Sequence, residues 1–128
     1  MHLLTMQVNK RSMYMKISKE LLKGSTGIMV LQLLSEQDMY GYMIIGQIES
    51  RSNAVFHMSE GSLYPILHSM EKDGLLESYR KVSEIGKERK YYRITSKGRL
   101  QLSMKLEEWN LFTQSVSDVL GNKVTSHE

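Results

Sequence analysis

The stretch SEGSLYPILHSMEKDG, Ser59 to Gly74, leaves this chain the least freedom. Leu63, Ile66, Leu67 and Met70 recur at i, i+3, i+4 and i+7, while Glu60, Ser62, Tyr64, His68, Ser69 and Lys72 fall on the other side. The spacing predicts an amphipathic helix of about four turns. Ser59 or Ser62 can cap its open N–H groups, and Gly74 supplies the left-handed residue at which helices commonly stop. Pro65 has no N–H to return to the carbonyl four residues earlier. The helix therefore either starts near Ser62, or starts earlier and loses one bond.

The segment after Gly74 gives that helix a setting. Leu75 to Val82 reads as a strand, SEIGKE as a turn and Arg89 to Ile94 as a second strand. A short helix feeding a basic two-stranded hairpin is the layout of a winged helix-turn-helix, in which the helix enters the major groove and the hairpin tracks the backbone beside it. Tyr91 and Tyr92 alternate across the second strand, so one is expected in the core and the other in solvent.

The residues Gly41 and Tyr42 in MYGYMI, Ser59, Gly61, Leu63, Tyr64 and Pro65 in SEGSLYPIL, Leu67, Glu71, Gly74 and Leu75 in LHSMEKDGLL, and Lys90, Tyr91, Tyr92, Arg93, Thr95 and Gly98 in RKYYRITSKG carry a resemblance. In that order and spacing, over roughly residues 17 to 120, the chain resembles the PadR family of bacterial transcriptional regulators. The resemblance implies a mostly α fold with a small β-hairpin wing (α+β), a winged helix-turn-helix with N- and C-terminal dimerisation helices. It implies a DNA-binding domain at 17–95 and a dimerisation helix at 96–121, while the aperiodic start and the polar end read as a flexible arm at 1–16 and a flexible tail at 122–128. It also implies a homodimer that binds double-stranded DNA as a repressor. Where the family often has Lys or Arg, this chain has His68 and Ser69.

Charge agrees with that setting. The net charge is only +3, yet Arg80 to Arg99 holds eight basic residues against Glu84 and Glu88, a local balance of +6 where the rest of the chain sums to −3. A phosphate footprint is expected on the hairpin and the helix after it. Ser59, Gly61, Ser62, Tyr64, Pro65 and His68 are the expected DNA contacts of the recognition helix, through hydroxyls and backbone N–H groups. That helix carries Glu60, Glu71 and Asp73 against Lys72, so Lys87, Arg89 and Lys90 of the wing must supply the attraction.

The flanks are read in the same way. Met1 to Lys16 has no clean period and is a flexible arm or translation upstream of a later start. Ile17 to Glu36 is apolar on one wide helical face, with Gly24 and Gly27 weakening a single unbroken helix and admitting a close neighbour. Asp38 is a plausible cap for a helix from Tyr40 to Arg51, buried through Ile44, Ile45 and Ile48, with Gly41 and Gly46 permitting close packing. Ser52 to Ala54 is a turn, and Phe56 plugs the core. From Thr95 or Ser96 to Leu120 a last helix is too apolar for one partner, which points to a two-fold dimer. Its Trp109 is ordinary dimer core or, by the resemblance, a stacking surface for a small aromatic ligand.

Other chemistries find little support. The chain has no cysteine, so it has neither disulfides nor thiolate ligands, and it holds no apolar run of the roughly 20 residues a membrane helix needs. A cytoplasmic protein is expected. His2, His57, His68 and His127 lack metal-ligand spacing, and no phosphate loop or nucleophile elbow is present, so no metal, cofactor or enzyme activity is expected. Two rivals stand beside the DNA reading. The acidic recognition helix favours a winged-helix module that binds protein, and Trp109 favours a small-molecule-binding dimer.

Overall fold

A computed structural model describes residues 17–122; the expected arm (1–16) and all of the expected tail except Asn122 lie outside them. Ser18 caps a single helical turn, α1 (Lys19–Leu22), by accepting the Leu21 N–H. The chain breaks at Gly24, in the left-handed region at φ +89, and restarts as α2 (Thr26–Glu36). A glycine that weakens a continuous helix over Ile17 to Glu36 thus ends it. Leu21, which lies before the break, is 73% exposed.

The connection to the next helix contains a strand too short to show a period, β1 (Met39–Tyr40). After it come α3 (Gly41–Arg51), α4 (Glu60–Lys72), β2 (Leu76–Val82), β3 (Glu88–Ile94) and α5 (Ser96–Leu120). The sheet is antiparallel in the order β1-β3-β2, with Met39 opposite Tyr92, Tyr40 and Tyr79 both opposite Tyr91, and Leu76 opposite Ile94. One core joins Val30, Leu31 and Leu34 of α2, Ile44 and Ile48 of α3, Leu63 and Leu67 of α4, Leu76 and Ile94 of the sheet, and Leu102 of α5. Burying each such aliphatic side chain contributes about 1.5–3 kcal/mol, which holds α4 by its apolar face and leaves its polar face outward.

Several local expectations are corrected. Tyr91 and Tyr92 are both buried, because Tyr91 is walled in by its own cross-strand neighbours: Tyr40 meets it edge-on at 5.3 Å, Tyr79 stacks on it at 5.7 Å and Lys81 lies over the ring at 4.9 Å. Asp38 caps no helix. It accepts a hydrogen bond from the Tyr79 hydroxyl instead, and α3 starts without a side-chain cap. Gly46 faces open space, whereas Gly41 is needed for close approach. Arg51 keeps its expected place in the last turn of α3 and gains a partner, since it pairs with Glu36 of α2 at 2.5 and 3.1 Å.

The hinge points of the core are tight. Thr95 caps α5 by accepting the Gly98 N–H, and its hydroxyl donates to the Gly74 carbonyl. A Cβ on Gly98 would collide with the Leu75 carbonyl oxygen and lie 2.7 Å from Ile94 Cγ1. Only a residue without a side chain lets α5 start against the end of α4.

Candidate nucleic-acid interface

Helix α4 resolves the choice that Pro65 leaves open. It begins at Glu60, with the Ser59 hydroxyl accepting the Ser62 N–H at 3.2 Å, so the proline lies inside the helix and one bond, to the Gly61 carbonyl, is lost. Gly61 and Pro65 are both on the exposed side, where water can take that carbonyl. At the other end Gly74 (φ +79) lets the Leu75 N–H reach back to the Met70 carbonyl at 2.9 Å and closes the helix. Between these ends Ser59, Gly61, Ser62, Tyr64, Pro65 and His68 form one exposed, mostly uncharged face.

Tyr64 is 43% exposed, and its hydroxyl presses on the first residue of α3. A Cβ on Gly41 would stand 2.8 Å from that oxygen. The contact explains two residues at once, since a glycine must open α3 for the tyrosine of α4 to lie across it. It also sets the Tyr64 hydroxyl beside the N-terminus of α3, which has no side-chain cap. Next to it stands Tyr42, 65% exposed, which no periodicity distinguishes.

The hairpin divides its cations between two faces. Lys87 stands exposed at the tip, in a turn closed by the Ser83 N–H donating to the Lys87 carbonyl at 2.7 Å, and makes no ion pair among the described residues. Lys90 is on the face toward α4, over the Tyr92 ring and 3.8 Å from Glu71. Arg89 is on the opposite face, its guanidinium over the Tyr40 ring at 4.9 Å. Lys81 covers Tyr91 and Arg93 covers Tyr79 on that same face. Four cations thus rest on tyrosine rings, a geometry in which the attraction of charge for ring partly orders each side chain. The fold brings Lys87 and Lys90 to the side of α4 and tip, but not Arg89.

Burial, then the neighbouring Glu71 and Tyr64, pushes the Tyr92 phenol up, and the hydrogen bond to Asp38 pushes up that of Tyr79. Both stay neutral donors in the ordinary pH range. Trp109 stands apart from these groups. It lines a groove of about 330 Å³ with Ile28, Met29, Leu33, Phe56 and Leu106, which reaches the end of α3 at Arg51 and Ser52. Among the described residues no cluster of His, Asp and Glu could hold a metal ion, and no helix is long and apolar enough to cross a membrane.

Known proteins share this arrangement. The family model described as Transcriptional regulator PadR-like family matches residues 30–104. A transcriptional regulator of Mycobacterium tuberculosis is 28% identical over 105 residues, 82% of this chain and 92% of that protein. Among solved structures, a PadR-like transcriptional regulator from Bacillus cereus superposes with a TM-score of 0.72 at 33% identity, covering 82% of this chain and 100% of that one. A transcriptional regulator from Clostridium thermocellum gives a TM-score of 0.72 at 33% identity over 80% of this chain and 96% of that one.

Proposed function

The chain belongs to the PadR-like family of transcriptional regulators, DNA-binding proteins and not enzymes, and on that premise we propose that it is a sequence-specific repressor acting as a homodimer. The observation that carries the proposal is the capped helix α4, with its polar face outward and a basic hairpin hydrogen-bonded to its side. In this reading α4 sits in the major groove with Ser62 and Tyr64 toward the bases, and Lys87 and Lys90 meet phosphates. Arg89 serves the same field from the far face of the wing. The repressor sign rests on the family resemblance.

Dimerisation is supported by α5, which leaves Leu111, Phe112, Val116, Val119 and Leu120 open along its second half. Residues 96–121 then form the dimerisation helix and 17–95 the DNA-binding domain. A two-fold dimer reads an inverted repeat with half-sites about 34–36 Å apart, one helical turn. Selection of bound duplexes from a random library by the purified protein, at two salt concentrations, tests this. A palindromic motif that persists at the higher salt is expected; weak binding that salt abolishes, with no motif enriched, would overturn it and favour the protein-binding reading.

The Trp109 groove favours one addition. A small planar aromatic ligand seated there would touch α5 and, at Ser52 and Phe56, the turn that leads into α4. Its binding would release the operator. Quenching of Trp109 fluorescence by planar aromatics, coupled to weaker operator binding, is the expected result; quenching without any change in DNA affinity would remove the ligand from regulation.

A further inference from the structure

Each face of the hairpin is tied to the helical body by one carboxylate, and the two ties have the same form. On the face toward α4, Glu71 in the last turn of that helix accepts a hydrogen bond from the Ser78 hydroxyl of β2 at 2.6 Å and lies 3.8 Å from Lys90 Nζ of β3. On the other face, Asp38 between α2 and β1 accepts from the Tyr79 hydroxyl of β2 at 2.6 Å and lies 3.4 Å from Arg93 Nε of β3. Each acid therefore holds β2 by a hydroxyl and β3 by a cation.

Simple electrostatics disfavours both acids in a protein that binds a polyanion. Glu71 belongs to a recognition helix that is already net acidic, and it offsets the charge of Lys90, one of the cations on the DNA side. The partly exposed ion pairs contribute little to stability, so what each acid adds to the fold comes mainly from its short hydroxyl hydrogen bond. What they do supply is a fixed angle. β1 pairs with β3 only at Tyr91 and Tyr92, so beyond that point the hairpin runs to its tip as two strands, and the tip cations reach the backbone while α4 is in the groove only if the wing is held at the right inclination before binding.

We propose that Glu71 and Asp38 are positioning residues for DNA binding, which set the wing against α4 and the start of α3. The proposal rests on the DNA-binding reading above. Its mark is a sign: removing a negative charge weakens DNA binding. On charge alone, E71Q frees Lys90, and binding tightens with a salt slope steeper by about one. On positioning, E71Q binds the selected duplex about tenfold more weakly, with a slope shallower by about one to two, because a neutral amide no longer attracts Lys90 and accepts the Ser78 hydroxyl less strongly, so wing phosphates are no longer met together. D38N moves the same way.

The test measures affinity for the selected duplex and for random duplex over a salt series, for the wild type, E71Q, D38N, S78A and S78T, with thermal unfolding in parallel. S78A leaves every charge in place and breaks only the hydroxyl tie, so a loss like that of E71Q is expected; S78T, which keeps the hydroxyl, restores wild-type binding. E71Q with S78A loses no more than either alone, as expected of groups in one contact. Tighter or unchanged binding by E71Q, or equal binding by S78A and the wild type, overturns the proposal while the wild-type motif leaves the DNA reading intact. A wild type that enriches no motif overturns both. Should E71Q fail to fold, the S78A and S78T pair decides alone.

Discussion

The two halves of α5 are built from similar residues and meet different surroundings. In the first half Gly98 and Leu102 are buried and Leu106 packs on the core, under α2 and β3. In the second, beyond Trp109, Leu111 is 71% and Val119 86% exposed, with Phe112, Val116 and Leu120 open beside them. One face of the first half thus completes the domain, while the second half offers apolar residues that no described residue covers, continued in the first half by the exposed Leu100 and Met104. The domain fold and the assembly should therefore be separable by mutation along a single helix.

Leu102→Ala gives the largest effect expected on the buried half. Removing a core side chain that is 7% exposed should destabilise the domain by about 2–4 kcal/mol, read as a lower midpoint in urea. Gly98→Ala comes next at about 1–3 kcal/mol, since the new Cβ must displace the Leu75 carbonyl and Ile94; an unchanged midpoint would show that the close approach is not needed. On the open half, Phe112→Glu should leave far-UV circular dichroism unchanged and weaken self-association at least tenfold, about 1.4 kcal/mol. Sedimentation would show it, and the melting temperature of the variant should no longer rise with protein concentration. A Phe112→Glu protein that remains dimeric would reassign the open face.

The smallest effect concerns acid. Hydrogen bonds from Arg51 and then Gln32 hold the Glu36 carboxyl down at about 2, from an ordinary value of 4.5. The folded value is the lower one, so the contribution is present above pH 4.5 and is lost as pH falls toward 2. Glu36→Gln should flatten the acid limb of the stability curve in that window and change little at neutral pH. The pair is exposed, so the change is slight beside that of Leu102→Ala.

Much of the fold is legible because it is local. The four apolar positions of α4 and the glycine after it suffice to place its apolar face and its end, and the hairpin strands lie within one residue of their expected bounds. The start of α4 is not legible, because whether a helix tolerates Pro65 depends on whether the Gly61 carbonyl meets water. β1 is missed because two residues carry no alternation. With β1 missed, Tyr91 is misjudged too, since Tyr40 covers that ring from 51 residues away.

The candidate interface divides along the same line. Its expected residues on α4 do share one exposed face, a matter of helical period. The wing cations do not act as a block, because strand alternation separates Arg89 from Lys90 and the tertiary fold gives each a different tyrosine. Gly41 is readable only as a small residue until Tyr64 is seen lying across it.

By itself the amino-acid order determined the main helices and the hairpin, the stop of α4 at Gly74, and the place where positive charge gathers, because periodicity, turn chemistry and charge density act over a few neighbouring residues. Only the tertiary structure decided that Tyr91 is walled in by Tyr40 and Tyr79, that Glu71 and Asp38 reach the hairpin, and that α5 lays one face of its first half on the core. Those outcomes depend on which surfaces meet across tens of residues, and contact of that kind leaves no period to read.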